Sequence, residues 1–320
     1  MTGAGPGLVA VVGPTATGKS DLAVALAREL GGEVVNADAM QLYRGLDVGT
    51  AKLTATERAG VPHHLLDVLD VTDTASVAAY QRDARAIVEE LIAAGRTPVL
   101  AGGSGLYVQA VLDELEFPGT DPGLRAELEA ELDRLGPQAL HARLAEVDPA
   151  AARVVLASNG RRIVRALEVV ALTGRPFPAR LRTDGVPRYG AVLLGVDRDT
   201  AELDARIGRR VARMFAAGLV DETRTLLPGL RAGPTASRAL GYQQVLAALG
   251  AGTGADAGTD LCGAAAATVL ATRRFVRRQR SWFRRDKRIH WLDGAAPDLA
   301  ERALRHLGAA AGREPVRAAP

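Results

Sequence analysis

Residues 13–20 read Gly13-Pro14-Thr15-Ala16-Thr17-Gly18-Lys19-Ser20 and follow directly on the apolar run Leu8-Val9-Ala10-Val11-Val12. The spacing G-x-x-x-x-G-K-[ST] is that of a phosphate-binding loop, or P-loop. Its glycines let backbone N–H groups turn inward around an anion, and the following helix directs its positive N-terminal end at the same point. Lys19 supplies a mobile charge for terminal phosphates, and the Ser20 hydroxyl a ligand for Mg²⁺. The apolar run before the loop suits a buried parallel strand. Residues 20–30 (SDLAVALAREL) have helical spacing and stop at Gly31-Gly32. Strand, loop and helix in that order are the context the motif requires. The loop alone does not select a reaction, since kinases, NTPases and enzymes that release diphosphate can all use one.

Outward from the loop, short strands are predicted at 33–36, 97–101 and 191–196, with a helix over 75–94 ended by Gly95. Strands alternating with helices predict an α/β fold, a P-loop NTPase-like parallel sheet flanked by helices. Residues 118–188 differ. Segments 122–134, 137–146, 149–156 and 159–172 read as helices, with no convincing strand between them. They predict a mainly helical insertion domain, with the core formed by 1–117 and 189–308. Residues 200–227 read as helical. Residues 250–260 (GAGTGADAGTD) read as a Gly-rich linker, 262–285 as a helix, and 309–320 as a disordered tail.

The chain has 320 residues, of which 48% are hydrophobic and 4% aromatic, so a large core built mainly from Ala, Val and Leu is expected. Net charge is +3, which excludes a global basic field and leaves local clustering as the informative signal. Of the 40 basic Lys and Arg residues only Lys19, Lys52 and Lys287 are lysine, so arginine number by itself says little. Cys262 is the single cysteine, which excludes an intrachain disulfide and a Cys-based metal cluster. There is no basic segment leading an apolar stretch and no apolar run of about 18 residues, so a soluble, cytoplasmic protein without a membrane partner is expected.

Asp38 lies just past the end of the second strand, beside the loop, where ligands of doubly wound sheets collect. A carboxylate there can accept a proton or hold Mg²⁺. It can equally cap a helix, and the residue type leaves both readings open.

The block NADAMQLYRGLDVGTAK at 36–52 makes a resemblance specific when set beside GPTATGKS, Pro62-His63-His64-Leu65, GGSGLY at 102–107, NGRRIVRALEV at 159–169, the arginine helix from Arg206 to Gly218, Gly241-Tyr242 and RRFVRRQRSWFRR at 273–285. Over residues 8–292 the sequence resembles the tRNA dimethylallyltransferase (IPP transferase) family. One departure is Asn36-Ala37-Asp38-Ala39-Met40, where the family usually has Ser at or next to the Asp; Asp38 and Gln41 are retained.

The resemblance implies transfer of a five-carbon group from dimethylallyl diphosphate to N6 of adenosine 37, in tRNAs reading codons that begin with U. Diphosphate leaves. The loop from Gly13 to Ser20 would then cradle a leaving group, although by motif it would also suit ATP. Thr15 would contact the diphosphate, Arg210 would be its second charge, and Asp38 would be the base for the N6 amine. Arg206, Arg210 and Arg213 share one helix face. The tRNA anticodon stem-loop would be met by Asp38, Ala39, Met40 and Gln41 at the splayed base. Ser104, Arg125, Arg161, Arg162 and Arg165 would contact it further out. Residues 273–288 hold nine basic residues and one acid, with Phe275, Val276, Trp282 and Phe283 interleaved. There Arg277, Arg278 and Arg280 are the expected phosphate contacts. Mg²⁺ on Ser20 is the expected cofactor, no zinc is expected at His63 and His64, and the family implies a monomer.

Three rivals are distinguishable. A P-loop small-molecule kinase would need a Mg²⁺-holding acid such as Asp67 and leaves the arginine-rich helix unexplained. An adenylate isopentenyltransferase should lack the full helical insertion. A non-catalytic RNA-binding GTPase-like module would need an Asn/Thr-Lys-x-Asp element, which is absent from the sequence.

Overall fold

The computed structural model describes residues 7–178, 185–250 and 260–311. The expected linker at 250–260 and tail at 309–320 fall largely on 251–259 and 312–320, outside the described residues. Two compact units form: Met1–Asp113 with Thr183–Pro320, and Glu114–Arg182.

The larger unit begins with β1 (Leu8–Val12), α1 (Lys19–Glu29), β2 (Glu33–Asn36), β3 (His63–His64), α2 (Val77–Ala93), β4 (Pro98–Gly102) and α3 (Gly105–Leu112). β1 is completely buried, which is why it reads as an unbroken apolar run rather than an alternating one. Leu8, Ala10 and Val12 face α2, α3 and Phe283, while Val9 and Val11 face α1 and the last helix of the chain. Each such Val or Leu is worth roughly 2 kcal/mol of burial.

The smaller unit is helical, with α4 (Pro122–Leu135), α5 (Pro137–Val147), α6 (Pro149–Ala152) and α7 (Gly160–Thr173). Its punctuation is local. Asp121, Asp148 and Asn159 cap α4, α6 and α7 with side-chain acceptors, and proline opens α4, α5 and α6. The third predicted helix, 149–156, stops at Ala152; Val155 instead turns into the unit's core. That core, centred on Leu140, Leu144 and Ile163, also encloses a charge. Glu168 is fully buried at 0% exposure and accepts from Arg125, from Arg165 Nη1 at 2.6 Å and from the Asp121 N–H at 3.2 Å. Burial opposes its ionisation, but the hydrogen bonds from Arg125 and Arg165 prevail and hold the carboxyl below the usual range.

The chain then returns through β5 (Ala191–Asp197), α8 (Thr200–Ala216), α9 (Leu219–Thr225), α10 (Leu227–Ala232), α11 (Tyr242–Gly250), α12 (Leu261–Phe283), β6 (Ile289–Asp293) and α13 (Leu299–Ala311). The sheet order is β3-β2-β4-β1-β5-β6, parallel throughout. The predicted helical run 200–227 is broken after α8 by Gly218 at φ 99, a left-handed turn that re-aims α9. β3 and β6 escape prediction because they are edge strands, one only two residues long and the other half exposed. Among the described residues no helix is long and apolar enough to cross a membrane.

Glu168→Ala would leave two arginines around a buried site with no anion. It is expected to cost about 3 kcal/mol of unfolding free energy, read by urea titration above neutral pH.

Candidate active site

The C-terminal edge of the sheet gathers the candidates. The P-loop leaves β1, Asp38 follows β2, Ser104 follows β4 and Asp197 ends β5. β1 lies between β4 and β5, where the chain's strand order reverses, and open parallel sheets bind ligands at that point.

Three side chains hold the loop from outside. Arg206 Nε donates to Ala16 O at 2.8 Å, and Arg198 Nε donates to Thr17 O at 3.0 Å. Gln279 Oε1 accepts from the Thr15 N–H at 3.0 Å, while its Nε2 donates to Gly103 O at 2.9 Å. Ala16 stands in the left-handed region at φ 66, a conformation that costs a non-glycine roughly 1 kcal/mol, and the Arg206 bond helps to keep it there. Gly13, at φ 133, brings the chain so close to β5 that a Cβ would stand 2.3 Å from Val196 O. Inside the loop, Thr17 Oγ1 and Lys19 Nζ donate to Pro14 O at 2.9 and 2.5 Å. Since the Thr15 amide is committed to Gln279, the group Thr15 offers an anion is its hydroxyl.

Lys19, Arg210, Asp38 and Asp197 lie close enough to act on one another electrostatically. Burial pushes the Lys19 ammonium down to about 7, and neighbouring Arg210 acts in the same direction, while Asp38 and Asp197 pull it back up. Arg210 is lowered by burial first and by Arg213, with Asp38 opposing. Arg206 is lowered by burial and then by Arg198. Lys19, Asp38 and Arg210 therefore belong to one electrostatic site, short of negative charge.

Asp38 caps no helix. A turn follows it, and its Oδ1 accepts from the Met40 N–H at 3.0 Å while its own N–H donates to Asn36 Oδ1 at 2.9 Å. Ser104 Oγ accepts from the Ala39 N–H at 3.1 Å, so Ser104 holds the Asp38 turn. Gln41 Nε2 and Arg210 Nη2 both donate to Thr50 O, at 3.3 and 3.1 Å. Beneath Asp38 lie Tyr80 and Tyr107, ring centroids 4.5 Å apart. Burial raises both phenols, Tyr107 to about 12, with the Asp38 charge a lesser contribution. A small cavity beside the loop is lined by Ser20, Asn36, Gln41 and His63, with Leu53 and Leu66 on its apolar side. Ser20 is exposed in the first turn of α1. Among the described residues no group of three His, Cys, Asp or Glu could hold a metal.

The expected RNA contacts divide. Arg161, Arg162, Arg277 and Arg278 are exposed. Arg280 is not: it is 9% exposed and donates to Asp197 Oδ1 at 2.9 Å, Thr200 Oγ1 at 2.9 Å and Arg198 O at 2.5 Å, bracing the chain after β5. Arg125 and Arg165 are likewise spent on Glu168. In the structure all three guanidinia are engaged internally, Arg125 and Arg165 by the fully buried Glu168 and Arg280 by the partly exposed Asp197. Of the nine basic residues at 273–288, Arg273, Arg280 and Arg288 turn to Asp204, Asp197 and Asp113, and the other six are exposed. Asp67, the acid a kinase would need, is held by Lys52 Nζ at 2.5 Å.

Sequence reading missed Gln279, Arg198, Tyr80 and Tyr107. Gln279 left a usable trace: with Thr272, Val276 and Phe283 it forms the buried stripe of α12, where an uncharged polar side chain needs a partner.

Fold and site together define a P-loop-like α/β protein in which Lys19 and Arg210 are electrostatically coupled to the Asp38 carboxylate. The IPP transferase family model matches residues 41–286. Curated relatives named tRNA dimethylallyltransferase include one from Saccharopolyspora erythraea, 68% identical over 93% of this chain and 94% of its own length. Another, from Streptomyces avermitilis, is 64% identical over 92% and 93%. A solved full-length tRNA isopentenylpyrophosphate transferase from Bacillus halodurans is similar with a TM-score of 0.68 and 39% identity, covering 95% of each chain. The chain belongs to the IPP transferase family.

Two outcomes follow from this geometry. Between about pH 7 and 10.5 the unfolded chain holds a proton on Lys19 that the folded chain has released, so stability rises with pH across that window. Lys19→Met is expected to flatten the rise, read from denaturant midpoints. Gln279→Leu keeps the volume but removes both bonds of the bridge. It is expected to weaken inorganic diphosphate binding about tenfold in isothermal titration, the equivalent of one lost buried hydrogen bond.

Proposed function

We propose that this chain transfers the dimethylallyl group of dimethylallyl diphosphate to N6 of adenosine 37, in tRNAs that read codons beginning with U. The observation that carries this reading is the convergence of Lys19, Arg210 and Asp38 at the P-loop. The relatives named tRNA dimethylallyltransferase, 61–68% identical over most of the chain, support the same substrates.

The N6–carbon bond forms as the bond from that carbon to the diphosphate oxygen breaks. The electron pair leaves with diphosphate, and the N6 proton passes to Asp38. Developing charge on the leaving group is met by Lys19, Arg210 and the Thr15 hydroxyl, donors of the kind that stabilise a transition state best when preorganised. Leu53 and Leu66 give the five-carbon group an apolar wall beside Ser20. Mg²⁺, when bound, neutralises part of the diphosphate charge. It usually takes one or two protein oxygens together with substrate phosphates, and the exposed Ser20 hydroxyl fits that pattern.

Adenine N6 is inaccessible in a stacked loop, so the base must be extruded towards Asp38. The exposed arginines 161, 162, 277 and 278 are the phosphate and base contacts this reading assigns to the anticodon stem-loop. The protein acts as a monomer in the cytoplasm. A compact helical unit at Glu114–Arg182 favours a tRNA substrate over free adenylate, and the engagement of Asp67 by Lys52 argues against the kinase alternative.

The deciding experiment incubates the protein with dimethylallyl diphosphate and an anticodon stem-loop carrying A36-A37-A38. Mass spectrometry is expected to show one added dimethylallyl group at A37. Label moving from the γ-phosphate of ATP to an acceptor would establish the kinase instead. Asp38→Ala is expected to bind the stem-loop normally and lose transfer by about 10²-fold or more.

A further inference from the structure

The segment Arg44–Leu53 contributes a backbone carbonyl to the site, and one carboxylate outside the site fixes its shape. Glu222, in α9, accepts from three consecutive backbone N–H groups: Asp47 at 3.3 Å, Val48 at 3.0 and 3.1 Å, and Gly49 at 3.4 Å. Successive amides that converge in this way form a nest for an anion. Tyr242, fully buried at the start of α11, donates its hydroxyl to Glu222 Oε1 and accepts from the Gly49 N–H at 3.1 Å. The contact is tight, since a Cβ on Gly49 would stand 2.3 Å from the Tyr242 ring. From the other side Lys52 Nζ reaches Tyr43 O at 3.0 Å and Asp47 Oδ1 at 2.6 Å.

The next residue is Thr50, whose carbonyl receives Arg210 and Gln41. Arg210 sits in a partly buried, cation-rich place, where like charges drive a flexible guanidinium away from the centre. A fixed carbonyl partner opposes that drift.

We propose that Glu222, assisted by Tyr242, is a positioning residue for Arg210: by locking the 47–50 turn it aims the Thr50 carbonyl that holds the arginine against the leaving diphosphate. Neither residue touches substrate. The inference rests on the proposed transfer reaction for its kinetic readout, and on diphosphate binding independently of it.

The test is a double-mutant cycle. Glu222→Gln keeps the shape but places an amide among three backbone donors. In the otherwise wild-type protein it is expected to lower kcat about tenfold and weaken inorganic diphosphate about tenfold, with the stem-loop Kd unchanged. In an Arg210→Ala background the same substitution is expected to change both by less than about twofold, because residues acting through one another are not additive. Equal losses in both backgrounds would show a general stability role and overturn the proposal. An unchanged diphosphate affinity in Glu222→Gln alone would overturn it too. If Glu222→Gln lacks a cooperative unfolding transition, Tyr242→Phe, which keeps the ring and removes the hydroxyl, is carried through the same cycle and judged by the same outcomes. Failure of the wild type to transfer dimethylallyl would sink the proposed function, while the diphosphate cycle would still judge this inference.

Discussion

Cations crowd the P-loop more closely than carboxylates can neutralise them. Arg210 lowers the Lys19 ammonium and Arg213 lowers Arg210, Arg198 and Arg206 brace the loop's carbonyls a few ångströms away, and Asp38 and Asp197 offset only part of the charge. Such an arrangement is costly in the folded chain and favourable once a multiply charged anion enters. In the proposed reaction that excess of positive charge answers the diphosphate that leaves, and Asp38 is the carboxylate that takes up the N6 proton.

Holding that arrangement requires rigidity, and a few long-range polar contacts of the larger unit supply it. Gln279 ties the loop to the end of β4, Arg280 ties the chain after β5 to α12, and Glu222 ties the 47–50 turn to α9. Each is a long-range bridge between segments far apart in sequence. Fixed dipoles of this kind stabilise a developing charge without rearranging during the reaction, which is where preorganised sites exceed water. The abundance of arginine serves this frame as much as any partner. Arg125 and Arg165 around Glu168, and Arg288 around Asp113, satisfy carboxylates that burial has taken from water.

The sheet and its phosphate loop were legible because their signals are local. β1 is apolar along its whole length, glycine spacing sets the loop, and Asp or Asn with proline punctuates the helices of Glu114–Arg182. The edge strands β3 and β6 were not legible, because partial exposure leaves them without an apolar run. Within the arginine-rich stretch, pattern could count charges but could not say which faced inward. Arg280 and Arg278 differ by two positions on one helix, and that rotation separates an internal brace from a surface charge.

By itself the sequence determined the α/β class and the loop pattern from Gly13 to Ser20, while Asp38 and Arg210 were paired with that loop only by the family resemblance. The first two are residue types at fixed spacings, readable without knowing what lies across the fold. Only the tertiary structure decided that Asp38 ends in a turn rather than capping a helix, that Gln279 occupies the Thr15 amide, and that Thr50 offers its carbonyl to Arg210. Those facts depend on backbone groups meeting side chains more than a hundred positions away, or on the conformation of a single turn, and neither leaves a periodicity in the chain.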